Sequence, residues 1–148
     1  MLMDVMSLRR MVMAQMASGA QFVKGTFTAP SSGSYTLNFG KTFSKYIFII
    51  ESTEDTKTAI INSGASSYRP FYWIGSYPQP EINNNGSYGG IAWTYKPSTN
   101  EYANSRYATD NNSYTTTSIT FVVADITGTS SSGILKGCSY NYYIVEIK

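Results

Sequence analysis

Five consecutive apolar or aromatic residues, Tyr46-Ile47-Phe48-Ile49-Ile50, stand between Lys45 and Glu51 and constrain the fold more than any other stretch. In an extended chain successive side chains alternate, so Tyr46, Phe48 and Ile50 share one face and Ile47 and Ile49 the other. Both faces need cover. Two later segments have the same two-sided character: Ile119, Phe121 and Val123 oppose Thr120 and Val122, and Tyr143, Val145 and Ile147 oppose Tyr142 and Ile144. An antiparallel sheet usually leaves one face wet, so a second cover is required. The Met-rich N-terminal segment, the long middle loops and a neighbouring subunit each qualify, and the last predicts a homo-oligomer.

The remaining strand signals are shorter. Gln21 to Thr28 is a first strand, stopped by Ala29-Pro30-Ser31-Ser32-Gly33, and Tyr35, Leu37 and Phe39 alternate with polar residues. Thr58 to Ile61 reads as a strand ended by Asn62-Ser63-Gly64. Arg69 to Ile74 reads as extended, with Pro70 marking an edge or a strand start. From Gly75 to Tyr114 loop signals surround one strand, Gly90 to Tyr95. No helical pattern between the later strands is long enough for a parallel crossover. With 148 residues forming a single β-domain, the pattern predicts an all-β, jelly-roll-like antiparallel sandwich over residues 20–148, preceded by a short N-terminal helix over residues 1–19.

That N-terminal segment holds all six Met and no aromatic residue. Val5, Leu8, Val12 and Met16 recur at helical spacing and line one face, with Met6 and Met13 widening the stripe, Asp4 placed to cap the start and Gly19 to end it. A helix this short is marginal alone, so it must pack on the body, on its own copies or on another protein. A secretory signal is the competing reading, with Arg9-Arg10 as its basic region and Ala17 to Ala20 as its exit. Gln15 interrupts the apolar stretch and Asp4 precedes it, which favours the helix.

Composition narrows the chemistry. The chain has no His and one Cys, Cys138, so Ser or Cys nucleophiles lack an imidazole partner, the usual zinc ligand sets are missing and an intrachain disulfide is impossible. A net charge of +2 with scattered Lys and Arg does not make a nucleic-acid face, and no apolar run approaches the ~20 residues of a membrane span. Gly40-Lys41-Thr42 resembles the end of a phosphate-binding loop, but the first glycine of that motif would fall on Tyr35, and a strand follows. Carboxylates such as Glu51, Glu54, Glu81, Glu101, Asp110 and Asp125 have no evident activating partner, and Asp110-Asn111-Asn112-Ser113 lacks the alternate-residue ligand spacing of a helix-loop-helix calcium site. These residues indicate neither catalysis, metal nor cofactor.

Aromatic residues carry the functional signal. Thirteen Tyr and two Trp are interleaved with Ser, Asn, Gly and Arg, a mixture that stacks on sugar faces or anchors a protein partner. Aromatic residues are equally at home filling a sandwich core. Those outside clear strands, Tyr77, Tyr88, Tyr102, Tyr107 and Tyr114, together with Arg106, are the better candidates for an exposed binding patch than Trp73 or Trp93.

The Met-rich leader with Leu8-Arg9-Arg10 ending at Ser18-Gly19, the strand Lys24-Gly25-Thr26-Phe27-Thr28, and Phe39-Gly40-Lys41-Thr42-Phe43 leading into Tyr46 together resemble small virion proteins of bacteriophages and prophages of gut bacteria. Such proteins range from tail-fibre and baseplate parts to capsid-surface fibres. The resemblance implies a non-enzymatic β-domain, assembled in the bacterial cytoplasm and displayed on the released particle. It also implies display in several copies, three as in many displayed phage β-domains, and joining to other virion proteins by residues 1–19, whose apolar face carries Val5, Leu8, Val12 and Met16; the aromatic set makes a host-surface glycan the candidate partner. Alternatives are a purely architectural capsid decoration or tail connector, a secreted carbohydrate-binding module, and a variable ligand-binding protein of the C-type lectin sort.

Overall fold

A computed structural model describes residues 5–17, 19–78, 90–105, 112–129 and 133–148. In chain order these form α1 (Val5–Ala17), β1 (Phe22–Thr28), β2 (Ser34–Asn38), β3 (Tyr46–Ser52), α2 (Glu54–Asn62), β4 (Arg69–Tyr77), β5 (Gly90–Lys96), β6 (Glu101–Ser105), β7 (Ser113–Tyr114), β8 (Ser118–Ala124), β9 (Ile134–Leu135) and β10 (Ser139–Glu146). One sheet runs β1-β10-β3-β4-β5-β6 and is antiparallel throughout. The other runs β2-β8-β7. The expected all-β sandwich with a short N-terminal helix is the fold.

The strand that dominates the sequence lies inside the larger sheet, between β10 and β4. Tyr46, Phe48 and Ile50 enter the core between the sheets, with Trp73, Ile119, Phe121, Tyr140 and Ile144. Rings close the gap: Phe27 of β1 stacks on Tyr35 of β2 at 4.7 Å, and Trp73 of β4 meets Phe121 of β8 at 6.2 Å. Each such side chain contributes roughly 1.5–3 kcal/mol by burial. On the opposite face Ile49 and Val145 form a second buried cluster with Phe22, Ile74 and Tyr143 packed against it. Helix α1 lies against β10 and reaches β3 through Arg9 and Glu51. The Met-rich segment thus supplies cover on the sheet's outer side.

Four expectations need correction. Thr58 to Ile61 is not a strand but part of α2. Thr53 caps that helix by accepting the Thr56 N–H, Glu54 and Asp55 occupy its positively polarised first turn, and Ile60 alone of its isoleucines is fully buried. Met6 and Met13 do not widen a buried stripe; they are 58% and 65% exposed. Met13 follows Val12 by one residue, roughly 100° around the helix, and so turns off the Leu8–Val12 line. Val5, Leu8, Val12 and Met16 belong to α1, but their side chains lie outside the described residues. The middle region holds β6 and β7 besides the anticipated β5. Finally, β9 pairs with β8 in parallel, Val123 opposite Ile134 and Ala124 opposite Leu135, a two-residue contact that needs no helical crossover. Pro70 stands at the start of β4 as anticipated, and the ladder shifts register between Pro70 and Tyr72.

Candidate binding site

The β5–β6 hairpin and the bulged start of β4 build an aromatic cleft. Pro70 has no N–H for the ladder, and just after it Phe71 is the extra residue, unpaired between Pro70 opposite Thr94 and Tyr72 opposite Trp93. The shift sets Tyr72 and Trp93 side by side, their rings stacked at 5.2 Å and 30°. Phe71 stacks on Tyr95 at 5.5 Å and meets the edge of Tyr102 at 6.2 Å. Tyr102 pairs with Tyr95 across the hairpin, rings 4.9 Å apart, and Asn104 pairs with Trp93. Phe71, Tyr72, Trp93, Thr94, Tyr102 and Asn104 line a cleft of about 210 Å³.

The hairpin turn holds these rings in place. Asn100 adopts φ 54°, a left-handed conformation that Asn tolerates better than most residues, and its Oδ1 accepts the Tyr95 hydroxyl at 2.8 Å. Glu101 accepts from the Thr99 hydroxyl at 2.7 Å and the Tyr68 hydroxyl at 3.3 Å. Thr99's hydrogen bond, helped by that from Tyr68 and the charge of Lys96, lowers the Glu101 carboxyl below its ordinary range. Lys96 Nζ sits 5.7 Å above the Tyr68 ring.

Of the residues singled out from sequence, Tyr102 belongs to this cleft and is 71% exposed on the edge strand. Tyr77 stacks on Tyr46 at 5.3 Å and Tyr114 on Phe48 at 5.2 Å; both pack against the core, the alternative role open to any aromatic residue here. Tyr88, Arg106 and Tyr107 lie outside the described residues. Trp73 is core, whereas Trp93, ranked beside it by sequence, joins the cleft. Phe71 and Asn104 were not singled out. The signal for Asn104 is its two-residue spacing from Tyr102, facing that of Trp93 and Tyr95, and for Phe71 its place just after Pro70, both legible only once the hairpin register and the bulge are known.

Elsewhere the polar groups serve the fold. Glu51 pairs with Arg9 and Lys57, Glu54 with Lys57, and Asp125 with Lys136, while Glu146 accepts the Gln21 backbone N–H. Gly40-Lys41-Thr42 lies in the irregular segment between β2 and β3, with no helix to present amides to phosphate. Among the described residues no three His, Cys, Asp or Glu side chains are grouped to hold a metal, and no helix is long and apolar enough to cross a membrane. The chain matches no protein-family model, no curated protein and no solved structure.

Proposed function

We propose that this chain is a non-enzymatic bacteriophage virion structural protein whose β-domain is displayed in several copies, three by the resemblance, and touches a host-surface glycan through the β4–β6 cleft. The observation that carries the glycan contact is the stacked Tyr72–Trp93 pair opening beside the exposed ring of Tyr102. Such a surface offers flat apolar faces to sugar C–H groups and an amide, Asn104, to hydroxyls. Virion placement is supported by the resemblance of the leader and of the strands that follow it. Glycan-array binding by the full chain, lost in Tyr102→Ala and Trp93→Ala while the circular dichroism spectrum is kept, is the expected result; an array with no bound glycan overturns the contact.

A purely architectural role, as capsid decoration or tail connector, is favoured by a different observation. Met6, Met11 and Met13 of α1 are exposed, and Met side chains adapt to irregular partner surfaces. Assembly onto particles that fails in Met6→Ser/Met13→Ser, combined with an empty glycan array, selects that role.

A further inference from the structure

We propose that the β4–β6 cleft selects a single uncharged sugar ring and discriminates against acidic sugars. This rests on the glycan-binding reading and names its ligand class. Among the described lining residues the side chains are aromatic, small or neutral polar, with no Lys, Arg, Asp or Glu. A sugar carboxylate or sulfate placed against Trp93 and Tyr102 would surrender its water to described wall residues that offer no cation, a costly exchange. A neutral pyranose gives up less. Its apolar face lies on a ring, and its hydroxyls bond to Asn104, whose amide both donates and accepts.

The hairpin's own charges are committed nearby. Lys96 and Glu101 are cross-strand partners, Lys96 sits over the Tyr68 ring, and Glu101 is held by Thr99 and Tyr68. Glu101 stays ionised at neutral pH and faces Lys96 across the strands, so between them the two bring no net positive charge to the cleft. Volume points the same way. At about 210 Å³ the cleft falls below the ~300–1,000 Å³ of sites that enclose drug-sized ligands, which suits one ring of a glycan rather than an oligosaccharide. A one-ring contact is weak, and display in several copies multiplies it through avidity.

The test titrates the full chain with glucose, galactose and N-acetylglucosamine, and separately with glucuronic acid and N-acetylneuraminic acid, following backbone amide shifts by NMR. At least one neutral sugar should shift the amides of β5 and β6, with at least tenfold weaker binding in Trp93→Ala and in Asn104→Ala, while the acidic sugars shift nothing at the same concentration. Tyr102→Phe, which keeps the ring on an exposed edge, should still bind. Tighter binding of glucuronic acid than of glucose overturns the selectivity and leaves the glycan reading standing. Neutral-sugar binding unchanged in both alanine variants places the site elsewhere and overturns the inference. If none of these sugars binds but a proline-rich peptide does, both readings fall.

Discussion

The guanidinium of Arg9 donates to Oε2 of Glu51 at 2.7 Å, joining α1 to the middle of the sheet across 42 residues of sequence. Glu51 is a nearly buried carboxylate, its side chain 7% exposed, and Lys57 approaches its other oxygen at 3.5 Å. Arg9 is 45% exposed. The ion pair is therefore asymmetric: losing α1 leaves Glu51 with Lys57, whereas losing Glu51 strips a partner from two cations.

Deleting Met1 to Ser18 should accordingly leave a folded β-domain, because the main core between the sheets contains no described side chain of α1. It should also uncover Ile49 and Val145. The expected outcome is a cooperative unfolding transition with increased binding of a hydrophobic dye. An unfolded truncated chain would make α1 an obligatory part of the core. In the intact chain Arg9→Ala should cost about 1 kcal/mol, because Arg9 is itself solvent-exposed and Lys57 still pairs with Glu51, and Glu51→Ala should cost more, both read by denaturant unfolding.

Thr56 ties α2 to the start of β10. Its hydroxyl donates to the Ser139 carbonyl at 2.9 Å and accepts the Ser139 N–H at 2.9 Å, at a position only 3% exposed. Thr56→Val keeps the shape but leaves that N–H without its acceptor. The carbonyl retains the Thr53 N–H and hydroxyl. A loss of about 1–3 kcal/mol is expected from one unsatisfied donor, with Thr56→Ser close to the parent. Equal stability of the Val and Ser variants would show that the pairing contributes nothing net.

Two glycines with positive φ should respond differently to alanine. Gly40 has φ +69° and open space around it, so Gly40→Ala should cost only the left-handed penalty of roughly 1–2 kcal/mol. Gly133, at φ +91° just before β9, would drive a Cβ into the carbonyl oxygen of Val122 on β8. Gly133→Ala should add a steric cost to the same penalty and disrupt the parallel β8–β9 contact. Melting temperatures of the two variants decide it: a Gly133→Ala melt at or above that of Gly40→Ala contradicts the packing described.

The central strand, its neighbour β10, strand β8 of the facing sheet, and the sandwich class were legible because alternation of large apolar residues maps directly onto sheet faces. Helix α2 was not, because Thr58, Ile60 and Ile61 are β-branched and resemble a strand. The Thr53 cap, the acidic first turn and the single buried face at Ile60 outweigh that weak local preference. Strand β6, Glu-Tyr-Ala-Asn-Ser, has almost no strand propensity and exists by pairing with β5. The site was half legible for the same reason. Tyr102 is a plain surface aromatic, whereas its grouping with Trp93, Tyr72 and Phe71 depends on hairpin register and on the bulge after Pro70. Those are tertiary facts.

Alkaline pH should unfold this protein through two phenols. Burial pushes Tyr46 and Tyr140 well above the ordinary tyrosine range; neighbouring Tyr114 and Tyr77 add to the effect at Tyr46, while the Leu135 N–H donating to the Tyr140 oxygen only partly offsets it. In the unfolded chain both ionise near pH 10. Because the folded values are raised, their contribution is fully present below pH ~10 and is lost as pH climbs toward the folded values. The unfolded state releases protons that the folded state retains, at about 1.4 kcal/mol per pH unit for each phenol. Tyr46→Phe tests this directly. It removes the hydrogen bond to the Thr115 carbonyl, at a cost of about 0.5–1.5 kcal/mol at neutral pH, and should also flatten the decline above pH 10 by roughly one phenol's share. Urea unfolding at pH 8, 10, 11 and 12 measures both. A parent chain whose stability stays level across that range would mean that these hydroxyls reach solvent in the folded state.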